Sequence, residues 1–126
     1  MLTYPISNFK SKSAGWDVNT GLYDNLSFIY SFGDSSEDLF ISPDGTKLYL
    51  LSSTPSRVFQ FELITPWDLS GIRFTGKVFN KGGYGIHFSP DGSRMYIQTT
   101  QYNLSTPWDI TTAVQSGNYS SGSSGI

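Results

Sequence analysis

The sequence predicts an all-β fold made of repeats of one unit. Three observations carry this expectation. Two short signatures recur in the same order, the segment between them alternates strictly, and the composition favours strands. Aromatic residues make up 16% of the 126 residues and charged residues only 14%, against a usual charged share of about 25%. The apolar share of 37% approaches the ordinary range once the 13 glycines are counted. Aromatics, Gly, Ser and Thr with few charges suit short strands and tight turns rather than helices. A chain of this length fits one domain and can bury about two thirds of its unfolded surface.

The first signature lies in residues 39–51, LFISPDGTKLYLL, and again in residues 86–98, IHFSPDGSRMYIQ. Ser42-Pro43-Asp44-Gly45 thus recurs as Ser89-Pro90-Asp91-Gly92, 47 residues downstream. The second signature, Thr65-Pro66-Trp67-Asp68-Leu69, recurs as Thr106-Pro107-Trp108-Asp109-Ile110, 41 residues downstream. A degenerate third copy lies upstream at Ala14-Gly15-Trp16-Asp17-Val18. The offsets differ by six, so the second unit has lost six residues against segment 54–59, TPSRVF. The first unit has room for a hairpin turning at Thr54-Pro55-Ser56. In the second, residues 94–100 run into 101–104 with almost no turn. Its third strand is expected to be truncated, or to continue the second.

Each signature has a mechanical reading. In S-P-D-G, Pro43 and Pro90 pre-set φ, Asp44 and Asp91 bond the local backbone, and Gly45 and Gly92 supply positive φ. In T-P-W-D, Pro fixes the chain direction, Trp anchors the loop and Asp caps the short turn that follows. Between the signatures, Phe59, Phe61 and Leu63 point to one face of a strand, and Val58, Gln60 and Glu62 to the other. The expected strands are residues 27–32, 39–42, 47–53, 57–63, 77–80, 85–89, 94–100 and 101–104, with an optional strand at 4–9. After Ala113 the tail QSGNYSSGSSG is a weak last strand or a mobile end.

The order F-x-S-P-D-G-T-K-L-Y, a hairpin, then T-P-W-D-L/I resembles propeller-type repeats of tailed-phage virion proteins and some bacterial surface proteins. The resemblance covers about residues 14–115. It implies β-propeller-like repeats, about two and a half blade units, and a virion setting, with the cell surface or extracellular space as the alternative. The units are a degenerate half-unit at 1–38, a full unit at 39–85 and a second at 86–126. At the end, Ser124-Gly125-Ile126 aligns with Tyr84-Gly85-Ile86, where a further copy would begin. Propellers close with about four to eight blades, so an open pair is expected to complete itself by oligomerisation. Three chains of two blades give six, so a homotrimer is favoured.

The leading functional expectation is a non-enzymatic virion structural protein: a decoration, fibre or tail component that assembles symmetrically with copies and other virion proteins. The second is a carbohydrate-binding attachment module, with a surface glycan stacked on Trp16, Trp67 or Trp108 beside Asp17, Asp68 or Asp109. Recurrence at one repeat position favours the loop-anchor role for these residues. No cofactor, metal or catalytic set is expected. Calcium needs six or more oxygen ligands, and Asp34, Glu37 and Asp38 read as solvated loop charge. His87 is the sole histidine, occupies the position of Phe40, and lacks a nucleophile motif. Net charge is −2 and Lys47, Arg73, Lys77 and Lys81 are scattered, which argues against nucleic acid. No apolar run reaches the roughly 18 residues of a membrane span, and Gly82-Gly83-Tyr84-Gly85 reads as a strand-entry loop.

Overall fold

A computed structural model describes residues 35–118. They form two four-stranded antiparallel sheets, each a simple meander. The first sheet contains β1 (Ser35–Ile41), β2 (Lys47–Thr54), β3 (Ser56–Leu63) and β4 (Ile72–Phe79). The second contains β5 (Ile86–Phe88), β6 (Arg94–Ile97), β7 (Thr100–Leu104) and β8 (Ala113–Asn118). Two single 3-10 turns, Leu69–Gly71 and Ile110–Thr112, lead into β4 and β8. No α-helix occurs among the described residues. The expected strands at 4–9 and 27–32, and the closing Ser124-Gly125-Ile126, lie outside them.

Register explains the six-residue difference and decides between the two expectations for the second unit: its third strand, β7, is truncated to five residues against the eight of β3. In the first hairpin Lys47 pairs with Glu62 and Ser53 with Ser56, around Thr54-Pro55. In the second, Arg94 pairs with Asn103 and Ile97 with Thr100, around Gln98-Thr99. The eight residues 51–58 are thus replaced by two, and the deletion shortens both arms equally. A loss of three residues per arm leaves every remaining side chain on its own face, because facing pairs are lost whole. The third strand is therefore a true partner of the second and does not continue it. Gln98 accomplishes the sharp reversal with φ of 53°, the positive value that a two-residue hairpin loop requires.

One further expectation is corrected and one alternative is decided. β4 begins at Ile72, five residues earlier than expected. Gly76 hid it: the glycine, at φ 85°, sits in the irregularity opposite Gln60 and Phe61, where a bulge adds residues to one strand only. Of the two alternatives for the tail after Ala113, its described part takes the last-strand one: β8 pairs with β7 from Leu104↔Ala113 to Thr100↔Asn118. Its sequence, AVQSGN, has little strand propensity, so the ladder to β7 overrides local preference.

The alternation expected of β3 is present and divides the apolar residues between two faces. Leu48, Leu50, Phe59, Phe61 and Leu63 form one cluster, with Ile41, Leu69, Ile72, Phe74 and Val78 against it. On the opposite face Tyr49, Leu51 and Val58 join Ile86, Phe88, Met95, Ile97, Tyr102, Leu104 and Ile110 of the second unit. The repeat offsets make Met95, Ile97, Tyr102 and Leu104 the counterparts of Leu48, Leu50, Phe61 and Leu63. The second sheet therefore shows its Leu48-type face to the Tyr49 face of the first. The two sheets stack head to tail, and each type of face meets the other type.

Aromatic rings fill this junction. Tyr49 and Phe88 have centroids 4.3 Å apart, and Phe79 meets the edge of Tyr102 at 5.0 Å. Polar contacts cross it as well. Tyr49 Oη donates to the Trp108 carbonyl at 2.6 Å, and the Ile110 amide donates to Gln60 Oε1 at 3.2 Å. The Ile86 amide donates to Asp38 Oδ2 at 3.0 Å, and Lys77 pairs with Asp109 at 3.0 Å. Asp38 thus corrects its reading as solvated loop charge: it lies in β1 and ties the sheets together. Burial, with Asp109 and Asp44 nearby, pushes the Tyr49 phenol well above its ordinary pKa.

Two substitutions test the two faces of β2, Tyr49 at the junction and Ser52 on the opposite face, with opposite signs. Tyr49→Phe leaves the Trp108 carbonyl without its donor and is expected to destabilise by about 1–3 kcal/mol. Ser52 is fully buried and its hydroxyl has no hydrogen-bond partner. Ser52→Ala is expected to be neutral or to stabilise by up to about 1 kcal/mol. Urea unfolding midpoints of the two variants measure both effects.

Candidate functional site

The candidate site residues among those described converge on one structure, built twice. Ser42 opens a turn in which its carbonyl accepts from the Gly45 amide at 2.8 Å. Asp44 Oδ1 accepts from the Ser42 hydroxyl at 2.7 Å, the Thr46 amide at 3.0 Å and the Thr46 hydroxyl at 2.7 Å. Ser89, Asp91, Gly92 and Ser93 repeat this, with Asp91 Oδ1 accepting at 2.8, 3.0 and 2.8 Å. Pro43 and Pro90 are exposed at the second turn position, where their fixed φ suits the bend. Gly45 and Gly92 close the turns at φ 75° and 74°, which glycine adopts without steric cost.

The T-P-W-D loop folds back onto that turn. The Trp67 amide donates to the Gly45 carbonyl at 2.8 Å, and the Trp108 amide to the Gly92 carbonyl at 2.9 Å. Both tryptophans hold positive φ, 64° and 68°, a backbone that bulky residues rarely adopt. Their indoles lie on the glycines so closely that a Cβ at Gly45 would overlap Trp67, and one at Gly92 would overlap Trp108. The two signatures occur together because each completes the other. Glycine supplies both the turn and the bare surface, and tryptophan covers it.

Asp68 and Asp109 fix the next bend. Asp68 Oδ1 accepts from the Ser70 amide at 2.9 Å. Asp109 Oδ1 accepts from the Thr111 amide at 3.0 Å and its hydroxyl at 2.6 Å. This is the capping role expected of them.

Electrostatics agree with these geometries. The Ser42 hydroxyl, then Thr46, hold the Asp44 pKa down at about 2. The Ser93 amide and hydroxyl, then Ser89, do the same for Asp91, also at about 2. Burial works against the Asp109 charge, yet hydrogen bonds from Thr111 and Lys77 keep its pKa below the ordinary value.

The two copies differ in exposure, and the turn residues Asp44 and Asp91 are exposed. Trp108 is stacked on Phe88 at 5.3 Å, with Tyr49 and Phe40 at 6.3 and 6.4 Å. Trp67 is 47% exposed, and its indole lies on Gly45. Asp68 is buried. Trp16 and Asp17 lie outside the described residues. His87 is exposed and meets Phe40 edge-on at 5.2 Å. No group of three or more His, Asp or Glu able to hold a metal occurs among the described residues.

Sequence reasoning passed over Tyr49 and Gln60, which hold the Trp108 loop across the sheets. A signal for them existed. Tyr49 recurs as Tyr96 at the first offset and Gln60 as Gln101 at the second. The pair Lys77–Asp109 carried no such signal.

Gly92→Ala forces a Cβ into the Trp108 indole and puts alanine at positive φ. The expected destabilisation is about 3 kcal/mol or more, read from urea unfolding. Asp44 and Asp91 titrate lower in the folded state than the unfolded value of about 3.9. Their contribution is complete above about pH 4 and is lost as pH falls toward 2. The paired Asp44→Asn, Asp91→Asn variant is expected to be less stable at neutral pH. Its unfolding midpoint is expected to change less between pH 4 and pH 2 than that of the unaltered chain.

No protein-family profile, curated protein or solved structure matches this chain.

Proposed function

We propose that the chain is a non-catalytic structural repeat protein of a virus particle. In this reading it is a decoration, fibre or tail component whose propeller-like units assemble symmetrically. One observation supports the assembly reading above all: the head-to-tail stacking of the two sheets. Contacts of this kind use two different faces, so the order of units can continue beyond one chain. The four-stranded meanders are of blade size, and about four to eight such blades make a closed ring. The virion setting rests on the likeness of the paired signatures to tailed-phage repeats.

The competing reading is a carbohydrate-binding attachment module. A pyranose stacks on an open indole face beside a hydrogen-bonding carboxylate. The half-buried Trp108 ring lies between Gly92 and Phe88, Oδ1 of Asp68 and of Asp109 caps its own turn, and Asp109 Oδ2 pairs with Lys77. Those commitments weigh for the structural role.

Native mass spectrometry at micromolar concentration tests the assembly, with a homotrimer expected. A clean monomer overturns the reading. On a glycan array the chain is expected to bind nothing above background, and reproducible binding lost in Trp67→Ala would favour the attachment module.

A further inference from the structure

We propose that residues 80–85, the connection between the two sheets, act as a latch: a strap seated in the tips of both hairpins that locks the sheets into one body. The inference does not depend on the assembly proposed above.

The strap has the composition of a flexible linker. Asn80-Lys81-Gly82-Gly83-Tyr84-Gly85 holds three glycines in six residues, and glycine-rich connections behave as coils when nothing holds them. Two of these glycines are instead pressed against the protein. A Cβ at Gly82 would overlap the Ser52 carbonyl oxygen and the backbone of Ser56 and Arg57. A Cβ at Gly83 would overlap the side-chain amide of Gln98. Neither glycine takes a positive φ. Close approach, and not an unusual backbone conformation, is what requires glycine at both positions.

These contacts come from both sheets. Ser52, Ser56 and Arg57 flank the turn of the first hairpin, where Ser52 pairs with Arg57 and Ser53 with Ser56. Gln98 lies in the turn of the second hairpin, and its amide donates to the Gly85 carbonyl at 3.0 Å. The amide that follows, Ile86, donates to Asp38 of β1 at 3.0 Å. Along its length the strap is thus held by the first sheet at Gly82, by the second at Gly83 and Gly85, and by the first again at Ile86.

The unequal hairpins acquire a use in this arrangement. The seat for Gly82 is built from residues 51–58, the stretch that two residues replace in the second unit. Leu51 and Val58 of the same stretch add apolar contact to the junction. The longer hairpin therefore reaches the strap with its backbone and the second sheet with its side chains. Releasing the strap frees the tips of both hairpins and lets the sheets shift against each other, which uncovers the aromatic junction.

Trypsin reads the latch through Lys81, which is exposed and directly precedes the seated Gly82. A protease needs several residues around the bond to leave the fold, so cleavage follows the population of the open form. The bond after Lys81 in the full chain is expected to be cut about a hundredfold more slowly than in a synthetic peptide of residues 76–90. Gly82→Ala is expected to speed cleavage at Lys81 about tenfold. Gln98→Gly keeps a residue suited to positive φ in the hairpin and removes only the side chain over Gly83. It is expected to speed cleavage at Lys81 as well, and it decides the matter if Gly82→Ala does not fold. Gly117→Ala, where a Cβ meets nothing within 4 Å, is expected to keep the unaltered rate. An unaltered chain cut as fast as the peptide overturns the latch, and so do variants cut at the unaltered rate. Cleavage that rises equally at Arg94, inside β6, reports a general loss of fold and overturns it too.

Discussion

Everything in this fold depends on an indole lying flat on a glycine. The S-P-D-G turn can receive Trp67 or Trp108 only because its last residue has no side chain. The tryptophan reaches it only by taking a positive φ. That strained backbone is sustained by what surrounds it: the amide bond back to the glycine carbonyl, the aspartate cap one residue later, and the contact of the indole with the bare glycine. A bulky left-handed residue is unfavourable alone, so its presence at the same place in both units marks an over-determined site. The lock joins the loop before β2 to the loop before β4, and the loop before β6 to that before β8. Each four-stranded meander is thereby closed at one end.

The same lock organises the junction between sheets. By fixing Trp108, it presents a carbonyl to Tyr49 and an amide to Gln60, and it sets the indole against Phe88 and Phe40. Turn geometry thus becomes docking geometry. Because the partner residues sit on the opposite face of the neighbouring sheet, the units pack in one direction. The proposed structural role draws on that direction, and the capping oxygens nearest the tryptophans are already hydrogen-bonded.

Much of this was legible in residue order. The S-P-D-G turn, the capping aspartates and the alternation of Phe59, Phe61 and Leu63 follow from local stereochemistry, and local stereochemistry is written in local sequence. The symmetric shortening of the second hairpin was not legible, because a deletion of six residues does not say how it is shared between two arms. Only pairing decides that, and Gln98 gives no glycine or asparagine to advertise its positive φ. β8 was obscured by a Ser- and Gly-containing sequence that becomes a strand through β7. Asp38 read as solvated charge because its acceptor role depends on an amide 48 residues away.

A double-mutant cycle between Gly92 and Trp108 measures the lock itself. Gly92→Ala, Trp108→Ala and the combined variant are compared by urea unfolding. If the indole occupies the space that the new methyl group needs, Gly92→Ala costs much less once Trp108 is gone. The expected coupling is then about 1 kcal/mol or larger. Costs that add to within about 0.5 kcal/mol would show that glycine and tryptophan act independently, and would contradict the structure at the point on which the rest is built.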